Sequence, residues 1–529
     1  MSILQQNVSQ RDLGPGTGVI APKNVLVWPY LVHHWAVQSV MPVMRRRYGT
    51  RFTILCQGRN IAEQYRGFMG PDDTAESVPD PKAAEISSED AVYSLARANE
   101  TRYGIHYIRD VVQLDRTLFT KASGIAPFSI YARDDAPPLV EIFDRINRWL
   151  AWSEQLFDRQ SFDLFMGWPM AVPDTCCTYV ARRRGLLVTH AYPARLENLA
   201  LWASGPFIAD FQHDEAFQRV GKVGEFDLKT LASPDAPARH SAKRVSDLYS
   251  GRRVIRDLAR LTLERIHHWV LDLRAGRVPW RARRLKFVDV AAARIRTWRF
   301  YREFNKLCVS DLAAITKRPF VFFAFQQEPE FTVQAQSRTF NDQQAIVRQL
   351  AKSMPAGVNL VIKEHTLVGY RPPSFYRELV AFPNVIMASP DIPGPKLVQQ
   401  CVAVASLRGT VTLEAALCGK PALLFGGESE FSMLPNVRMV DSLGRLGDVL
   451  DEVVEPPPPA KAAEYRGAGG RIREAIRQIS FAGDPMNTLD GTLLDAATAE
   501  RAADLLVRLN TLFHTRCEAA LVAPGEPRQ

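Results

Sequence analysis

Short apolar runs alternate with longer amphipathic stretches over the first 200 residues. Apolar runs bounded by turn residues predict buried strands, and apolar positions about three to four residues apart predict helices. Strand, helix and strand in this succession predict parallel βαβ units. The predicted strands are residues 24–28, 51–56, 162–166 and 185–189, and the predicted helices are residues 35–47, 91–99, 139–157 and 175–184. Residues 71–90 are predicted to be a loop and residues 105–114 an extended segment.

The alternation returns after a stretch at residues 200–318 that is predicted to be mostly helical. Its most regular part is a turn–helix passage, in which a strand beginning at Ala403 leads through Gly409-Thr410 into a helix carrying Glu414. Gly419-Lys420-Pro421 then introduces a strand that ends at Phe425. The other predicted strands are residues 319–325, 358–363 and 385–388, and the other predicted helices are residues 342–353, 373–381, 396–400, 471–479 and 496–514.

The length of 529 residues is too great for one hydrophobic core, so two or more domains are expected. In α/β folds of this kind ligands bind outside the carboxyl ends of parallel strands, and a cleft between two such domains is the default site. The predicted division is a loose tail (1–22), an α/β domain (23–200), a helical basic segment (201–318), a second α/β domain (319–455), and a linker with closing helices (456–529). Prolines 456–459 make that linker stiff.

The net charge of +9 is concentrated in one segment. Residues 239–318 contain 21 Lys or Arg against 7 Asp or Glu, together with three tryptophans. Such a segment can lie on an anionic membrane surface or hold an anionic polymer, although no nucleic-acid motif accompanies it. The alternative is a solvated helical face that contains a few core tryptophans.

The compartment is predicted from what the sequence lacks. Seven scattered cysteines show no metal-binding spacing, which favours reduced thiols in a cytosol. No apolar run approaches the roughly 20 residues of a spanning helix, and the polar, Gly-rich N-terminus lacks the apolar core of a signal peptide. We therefore expect a cytoplasmic protein.

Polar residues follow four predicted strands of the second α/β domain and should open on one edge of its sheet. Gly409 and Thr410 offer backbone amides and a hydroxyl at a helix start, where the positive end of the helix dipole suits a phosphate. Lys363, His365 and Arg408 add positive charge, and Glu414, one turn into the helix, can accept a hydrogen bond from a ribose hydroxyl. The alternatives are a plain turn with a capping threonine, and an ion-paired strand end at Lys363-Glu-His365.

An ordered set of motifs in residues 319–427 resembles bacterial capsule and surface-polysaccharide biosynthesis proteins, a group that includes the Kdo-transferase-like capsule proteins. The motifs are Phe325-Gln-Gln-Glu-Pro-Glu, Phe340-Asn-Asp-Gln, Met354-Pro-Ala-Gly, Val361-Ile-Lys-Glu-His365, Pro383-Asn-Val385 and Gly409-Thr-Val-Thr-Leu-Glu-Ala with Gly419-Lys-Pro421. The resemblance implies an α/β, GT-B-like fold with two facing Rossmann-like domains, in which the second binds the nucleotide and the first the acceptor. The residues assigned to the nucleotide are Gln326, Glu328, Lys363, Glu364, His365, Arg408, Gly409, Thr410 and Glu414.

The sequence departs from this pattern after the histidine of Lys-Glu-His, where relatives often have proline and this chain has Thr366. That departure bears on the role of His365. The chain also lacks an Asp-x-Asp pair, the usual metal–nucleotide carboxylates of the other large transferase fold. We therefore expect neither a metal nor a cofactor, with the nucleotide sugar entering as a substrate.

The sequence offers several candidates for the catalytic residues. A transferase that inverts configuration needs a base to take the acceptor proton, and the candidates lie on strand-end loops of the first domain. His34 and Glu197 are the leading base candidates, and His365 is assigned to leaving-group stabilisation. The other candidates are His33, Asp110, Asp174 and His190.

The favoured function is therefore a metal-independent glycosyltransferase. It would move a sugar from a CMP- or UDP-linked donor to a growing surface or capsular glycan or its lipid-linked acceptor. Its expected partners are the nucleotide sugar, the glycan or glycolipid acceptor and, as a further candidate, the anionic inner face of the membrane; nucleic acid is not expected. The alternatives are a nucleotide-sugar epimerase of the same fold and a non-catalytic scaffold of capsule assembly.

Overall fold

A computed structural model of the chain describes most of its residues. The described residues are 19–29, 34–56, 59–79, 86–115, 137–204, 211–224, 250–256, 259–260, 262–263, 292, 295–328, 332–337, 340–365, 371–426, 429–483 and 493–522. His33, Thr366 and most of the basic segment at residues 239–318 lie outside these ranges.

The first sheet has seven strands in the order β13-β6-β5-β4-β1-β2-β3. Strands β1 to β5 are parallel, and β6 and β13 are antiparallel additions at one end. The order 3-2-1-4-5 is that of a Rossmann-type unit. Its strands are β1 (Asn24–Val27), β2 (Arg51–Cys56), β3 (Thr74–Ser77), β4 (Leu164–Met166), β5 (Leu187–Pro193), β6 (Leu199–Ala203) and β13 (Ser480–Ala482).

The helices around this sheet cover both of its faces, which is why its parallel strands are almost entirely apolar. One face packs against α1 and the C-terminal helix, and the other packs against α5 and α6. These helices are α1 (His34–Tyr48), α2 (Arg59–Arg66), α3 (Glu89–Tyr103), α4 (Tyr107–Asp110), α5 (Leu139–Arg159), α6 (Val172–Arg183) and α7 (Phe211–Arg219).

The second sheet is entirely parallel, in the order β12-β11-β10-β7-β8-β9. Read from β9, this is 3-2-1-4-5-6, the order of a complete doubly wound Rossmann sheet. The strands are β7 (Phe320–Ala324), β8 (Asn359–Lys363), β9 (Val385–Ala388), β10 (Ala403–Ser406), β11 (Ala422–Leu424) and β12 (Val437–Met439). The expected fold class, α/β with two Rossmann-like sheets in a GT-B-like arrangement, is confirmed.

The helices of the second half alternate between the two faces of this sheet. The helices after β7 and β8 pack on one face, and those after β9 and β10 pack on the other. They are α8 (Leu312–Ile315), α9 (Gln343–Ser353), α10 (Pro373–Val380), α11 (Gly394–Gln400), α12 (Thr410–Leu417), α13 (Leu446–Val454), α14 (Pro459–Gln478) and α15 (Ala496–Val522).

The closing segment joins the two halves. Helix α14 packs against both α7 and α12, and β13 then pairs with β6 of the first sheet. Helix α15 finally packs against α1, so the C-terminal segment returns to the N-terminal sheet. One core cluster accordingly contains Leu196 and Phe217 together with Phe322 and Val411 of the second sheet and its helix.

Several elements differ from the sequence-based expectation, among them β6, β12, β13, α2 and α13, which were not predicted. Strand β3 lies inside residues 71–90, which were predicted to be a loop. The strand was missed because it is polar, mostly exposed and at the edge of the sheet, so no apolar run marks it. Residues 107–114, predicted to be extended, form α4 and a short 3-10 turn. Helix α14 begins at Pro459, so the last of the linker prolines starts a helix, as proline can in a first helical turn.

Disulfides and membrane-spanning helices were both predicted to be absent, and both can be checked in the described residues. None of the seven cysteines forms a disulfide there. Within the same part of the chain, no helix combines the length and apolar character needed to cross a bilayer. Of the aromatic residues near the end of the basic segment, Tyr301 is buried in a core of the second sheet, and Trp298 is half-buried.

Two glycines of α14 provide a matched test of the packing between α12 and α14. A Cβ at Gly469 would collide with the backbone carbonyl of Leu417, whereas a Cβ at Gly467 would meet nothing within 4 Å. We predict that Gly469→Ala destabilises the protein by about 1–3 kcal/mol through overpacking. Gly467→Ala should instead stabilise it by about 0.5–1 kcal/mol, because alanine loses less conformational entropy in a helix. Urea midpoints of the two variants measure the difference, and equal shifts would contradict the close contact.

Candidate functional site

The carboxyl edge of the second sheet brings together the residues assigned to the nucleotide. Because β7 to β10 are parallel, the segments that follow them emerge on the same edge. Gln326 and Glu328 follow β7, Lys363 ends β8, and Gly409 follows β10. The chain therefore concentrates its polar loops where ligands bind in such folds.

The crevice at this edge lies between β7 and β10, where the strand order reverses. Helix α9 follows β7 on one face of the sheet, and α12 follows β10 on the other. The side-chain amide of Gln326 donates a 3.1 Å hydrogen bond to Ser406 Oγ across the crevice. A Cβ at Gly409 would lie 2.5 Å from that amide nitrogen and 3.0 Å from the hydroxyl oxygen, so a larger residue here would have to displace the Gln326 side chain.

Helix α12 begins without a side-chain cap. Gly409 is the N-cap residue, and Thr410 is the first helical residue and is exposed. The hydroxyl of Thr412, two residues after Thr410, donates to the Gly409 carbonyl at 2.6 Å and does not cap the amides. The alternative of a capping threonine is therefore not what the structure shows. An uncapped helix start of this kind presents amide donors and a positive dipole end to an anion.

Lys363 lies on the same face of the sheet as α12. Alternate strand residues share a face, and Val361 packs in the same core as Val411 of α12. The Lys363 side chain is about nine-tenths buried and has 9% relative exposure. Its ammonium makes no hydrogen bond to any described residue. Burial lowers its pKa, and the nearby carboxylates of Glu364 and Asp391 oppose this only in part. A desolvated ammonium in this state gains from an anion.

Glu364 lies at the centre of a group of hydrogen bonds. It is buried, and its carboxylate accepts hydrogen bonds from Arg371 Nη1 at 2.5 and 2.6 Å, from the Tyr376 hydroxyl at 2.5 Å and from the His365 amide at 2.8 Å. These bonds use the acceptor capacity of both oxygens. Glu364 therefore braces the loop that carries His365, and its assignment to the nucleotide stays a prediction. His365 itself is half-buried at the edge.

Arg371 links this brace to the loop after β7. Its Nη2 donates to the Gln326 carbonyl at 2.9 Å and lies 3.4 Å from the Glu328 carboxylate. Gln343 bonds both the amide and the carbonyl of Gln326, at 2.7 and 3.1 Å, and its side-chain nitrogen also contacts Glu328. The main chain of Gln326 is thus fixed on both sides. Glu414 lies half-buried one turn into α12.

Arg408 precedes the Gly409-Thr410 turn, but its side chain pairs with Glu430. Its Nη2 donates to Glu430 Oε2 at 3.0 Å, and its backbone carbonyl accepts from Arg195 Nη1 at 2.6 Å. Burial alone would raise the pKa of Glu430, but the guanidinium groups of Arg195 and Arg408 outweigh it and lower the pKa to about 2. Arg408 therefore contributes to this edge chiefly by its main chain.

Sequence reasoning missed Arg195, Arg371 and Glu430. Glu430 follows β11, the fifth parallel strand, and the same strand-end rule that identified the other four loops would have found it. Arg371 and Arg195 carry no local signal, since their partners are defined only by tertiary contacts.

The two leading base candidates, His34 and Glu197, differ in what surrounds them. His34 is the first residue of α1, and its side chain is outside the described part. Glu197 pairs with Arg473 and Arg477, the latter at 2.6 Å. Although burial opposes the effect, these arginines lower the pKa of Glu197, which makes it a weak proton acceptor. Its contacts are those of a structural ion pair.

The remaining first-domain candidates are enclosed. His190 is stacked on Trp168, with ring centroids 4.7 Å apart, and burial lowers its pKa to about 3, which keeps it neutral. Asp174 accepts three backbone hydrogen bonds at the start of α6, and burial raises its pKa to about 7 in spite of them. Asp110 pairs with the neighbouring Arg109. In the described ranges, no three His, Cys, Asp or Glu side chains are grouped so as to hold a metal ion.

Residues 285–433 match the model of a family described as capsule polysaccharide biosynthesis proteins. This match confirms the resemblance found in the sequence, and it includes β7 to β11 and the whole edge described above. No curated protein sequence matches the chain.

Several solved structures are similar to this chain at low identity. A KpsC β-Kdo 2,7-transferase from Thermosulfurimonas dismutans is 12% identical, with a TM-score of 0.29, over 67% of this chain and 88% of that one. MnaA from S. aureus with UDP is 9% identical, with a TM-score of 0.27, over 96% and 99%. Anabaena Alr3699/HepE with UDP and glucose is 12% identical, with a TM-score of 0.28, over 94% and 100%. The fold assignment of this chain rests on the strand order of its own two sheets.

Glu430 provides a pH test of the arginine cluster at this edge. The side chains of Glu430, Arg195 and Arg408 are only 15%, 11% and 5% exposed, and removing one member of a buried pair costs about 3–5 kcal/mol. We predict that Glu430→Gln lowers the melting temperature at neutral pH. The folded pKa of about 2 lies below the ordinary value of 4.5, so the stabilisation is complete above about pH 4.5 and is lost as pH falls towards 2.

Melting temperatures of wild type and variant between about pH 3 and pH 7 measure this effect. The difference between them should be constant near neutral pH and should narrow below about pH 4.5. Glu452→Gln is the control, because Glu452 pairs with Arg438 at the exposed surface, where an ion pair contributes only about 0–1 kcal/mol. A Glu430→Gln protein as stable as wild type at pH 7 would contradict the assigned cluster.

Proposed function

We propose that this chain, which carries a capsule polysaccharide biosynthesis region at residues 285–433, is a glycosyltransferase that uses a nucleotide-sugar donor. The observation that carries the proposal is the pairing of two features at one sheet edge. The first is the uncapped start of α12 at Gly409 and Thr410, and the second is the buried ammonium of Lys363 on the same face. Both favour a phosphate group, and a nucleotide sugar supplies one.

The donor phosphates would bind where the amide groups of α12 begin. Thr410 adds an exposed hydroxyl to those amides, and Gly409 lets the main chain approach closely. Lys363, which is largely desolvated and has no hydrogen bond to a described residue, would form an ion pair with the phosphate. The brace of Glu364 and Arg371 holds the adjoining loops and so reduces the entropy that binding has to overcome.

Transfer would proceed by stabilising charge on the departing nucleotide phosphate. As the bond between the anomeric carbon and the phosphate oxygen breaks, negative charge grows on that phosphate. Lys363, the α12 amides and His365 would stabilise this charge electrostatically, in a mechanism that requires no metal. The acceptor hydroxyl would give its proton to a base from the first sheet, and His34 is the candidate that we retain for that role.

The acceptor would be a growing surface or capsular glycan, or its lipid-linked precursor. A lipid-linked acceptor would place the enzyme at the inner face of the membrane, held there by the basic segment at residues 239–318. Ile255 and Leu263 are about two-thirds exposed in the described part of that segment. This exposure suits an apolar contact with an interface.

The function is tested by two linked assays. A thermal-shift screen of CMP, UDP, GDP and dTDP identifies the nucleotide, since a ligand that binds only the folded state raises the melting temperature. Incubation with the matching nucleotide sugars follows, with and without capsular glycan acceptor. Nucleotide release that depends on acceptor supports transfer. Release without acceptor, together with a changed sugar, identifies an epimerase, and an absence of any release and binding identifies a scaffold.

Thr410→Val removes the hydroxyl and keeps the shape of the side chain. Loss of a hydrogen bond to a charged phosphate should weaken nucleotide binding by about 1.5–3 kcal/mol. Titration calorimetry with the nucleotide that the screen selects measures this loss. Thr515→Val on α15 is the control, because Thr515 is exposed on a helix of the first domain, and it should bind as wild type does. If Thr410→Val and Thr515→Val bound the nucleotide with equal affinity, the proposed hydrogen bond from Thr410 to the phosphate would be contradicted.

His365→Ala separates binding from catalysis. If His365 stabilises charge that develops on the leaving phosphate, the variant should lose turnover while the donor KM changes little. Initial rates at varied donor concentration measure both quantities. A raised KM with unchanged kcat would show that His365 contributes only to donor binding.

A further inference from the structure

The turn between β5 and β6 is held in an uncommon backbone conformation. Arg195, Glu197 and Asn198 have φ values of 59°, 52° and 55°, although none of them is glycine. A left-handed conformation costs an L-residue about 1–2 kcal/mol. Three such residues in a row of four persist only if contacts outside the turn hold them.

Two side chains anchor the turn in different directions. Glu197 pairs with Arg473 and Arg477 of α14, which ties the turn to the closing helix. Arg195 reaches the second sheet instead, where Nη1 donates to the Arg408 carbonyl at 2.6 Å and Nε lies 3.8 Å from Glu430. A further Arg195 nitrogen contacts the Tyr192 hydroxyl, and the guanidinium lies 5.4 Å from the Tyr192 ring centroid.

The Arg408 carbonyl immediately precedes the proposed phosphate site at the start of α12. It belongs to the peptide group that joins Arg408 to Gly409, so its orientation sets the direction of the next amides at the start of α12. The side chain of Arg408 is fixed to Glu430 at 3.0 Å, and Glu430 in turn faces Arg195. One guanidinium from the first sheet therefore holds both the main chain before Gly409 and the carboxylate that fixes Arg408.

We propose that Arg195 is a positioning residue of the donor site, which orients the Arg408–Thr410 turn for phosphate from the opposite domain. This inference rests on the proposed function, since it assigns Arg195 to the same nucleotide site. The nucleotide site at the edge of the second sheet would then depend on the first sheet. The α12 amides would point towards the phosphate only while Arg195 of the β5–β6 turn holds the Arg408 carbonyl.

The test compares three variants of the same turn. Arg195→Met removes the donors and the charge but keeps an unbranched stem, and Glu197→Gln weakens the other anchor, which does not lead to the Gly409-Thr410 turn. Arg195→Lys is the conservative variant, with the charge but without the planar fork that reaches the Arg408 carbonyl and Tyr192 together. Each protein is titrated with the nucleotide selected by the thermal-shift screen, at a temperature well below its own melting point.

Arg195→Met should weaken nucleotide binding at least about tenfold, the scale of one charge-assisted hydrogen bond, and should raise the donor KM by a similar factor. Arg195→Lys should recover little of this loss. Glu197→Gln should lower the melting temperature and weaken nucleotide binding much less than Arg195→Met does, because the Arg195 contacts themselves are kept. Wild-type affinity in a folded Arg195→Met protein, or equal loss in Glu197→Gln, would overturn the positioning role while leaving the proposed function intact. A wild-type protein that binds none of the nucleotides would overturn the proposed function and this inference with it.

Discussion

The common direction of the strands in the second sheet is the constraint on which the site depends. With six parallel strands, every strand-end segment emerges on one edge, so residues 80 positions apart in sequence, such as Gln326 and Ser406, become neighbours. The reversal of strand order between β7 and β10 then opens a crevice at that edge, because successive helices leave on opposite faces. Gln326, Lys363 and Gly409 owe their proximity to this topology.

Two buried ion-pair clusters stabilise the edge that the topology creates. Glu364 with Arg371 ties the loop after β8 to the loop after β7, and Glu430 with Arg408 ties the loop after β11 to the loop after β10. Such clusters contribute little net stability, since desolvation offsets much of their attraction. Their contribution here is geometric. Arg371 fixes the Gln326 carbonyl, and Arg195, which faces Glu430, fixes the Arg408 carbonyl, and both carbonyls lie beside the proposed phosphate site. Lys363 remains the cation at this edge that has no hydrogen bond to a described residue.

The sequence predicted the second sheet more completely than the network that supports the site. Runs such as residues 320–324 and 403–406 are short, apolar and bounded by turn residues, so periodicity alone identified them as strands. Strand β3 was missed because its four residues are polar and lie at an edge. The pairing of β13 with β6 joins residues about 280 positions apart, and no local pattern encodes it.

The same contrast holds among the site residues. Gly409, Thr410 and Lys363 were identifiable because strand-end position and residue type together predict phosphate chemistry. For Glu364, the motif reveals the residue type but not its hydrogen-bond partners, Arg371 and Tyr376. Arg195 was not identifiable at all, since its role depends on how the two halves of the chain meet.

The central claim is that a nucleotide phosphate binds at the start of α12, beside Lys363. Hydrogen–deuterium exchange of the whole protein, with and without the nucleotide that raises its melting temperature, tests this claim directly. We predict slowed exchange in peptides covering residues 408–412 and 363–365, with little change around β3 at the far edge of the first sheet. Slowed exchange confined to the first sheet, with residues 408–412 unaffected, would contradict the account.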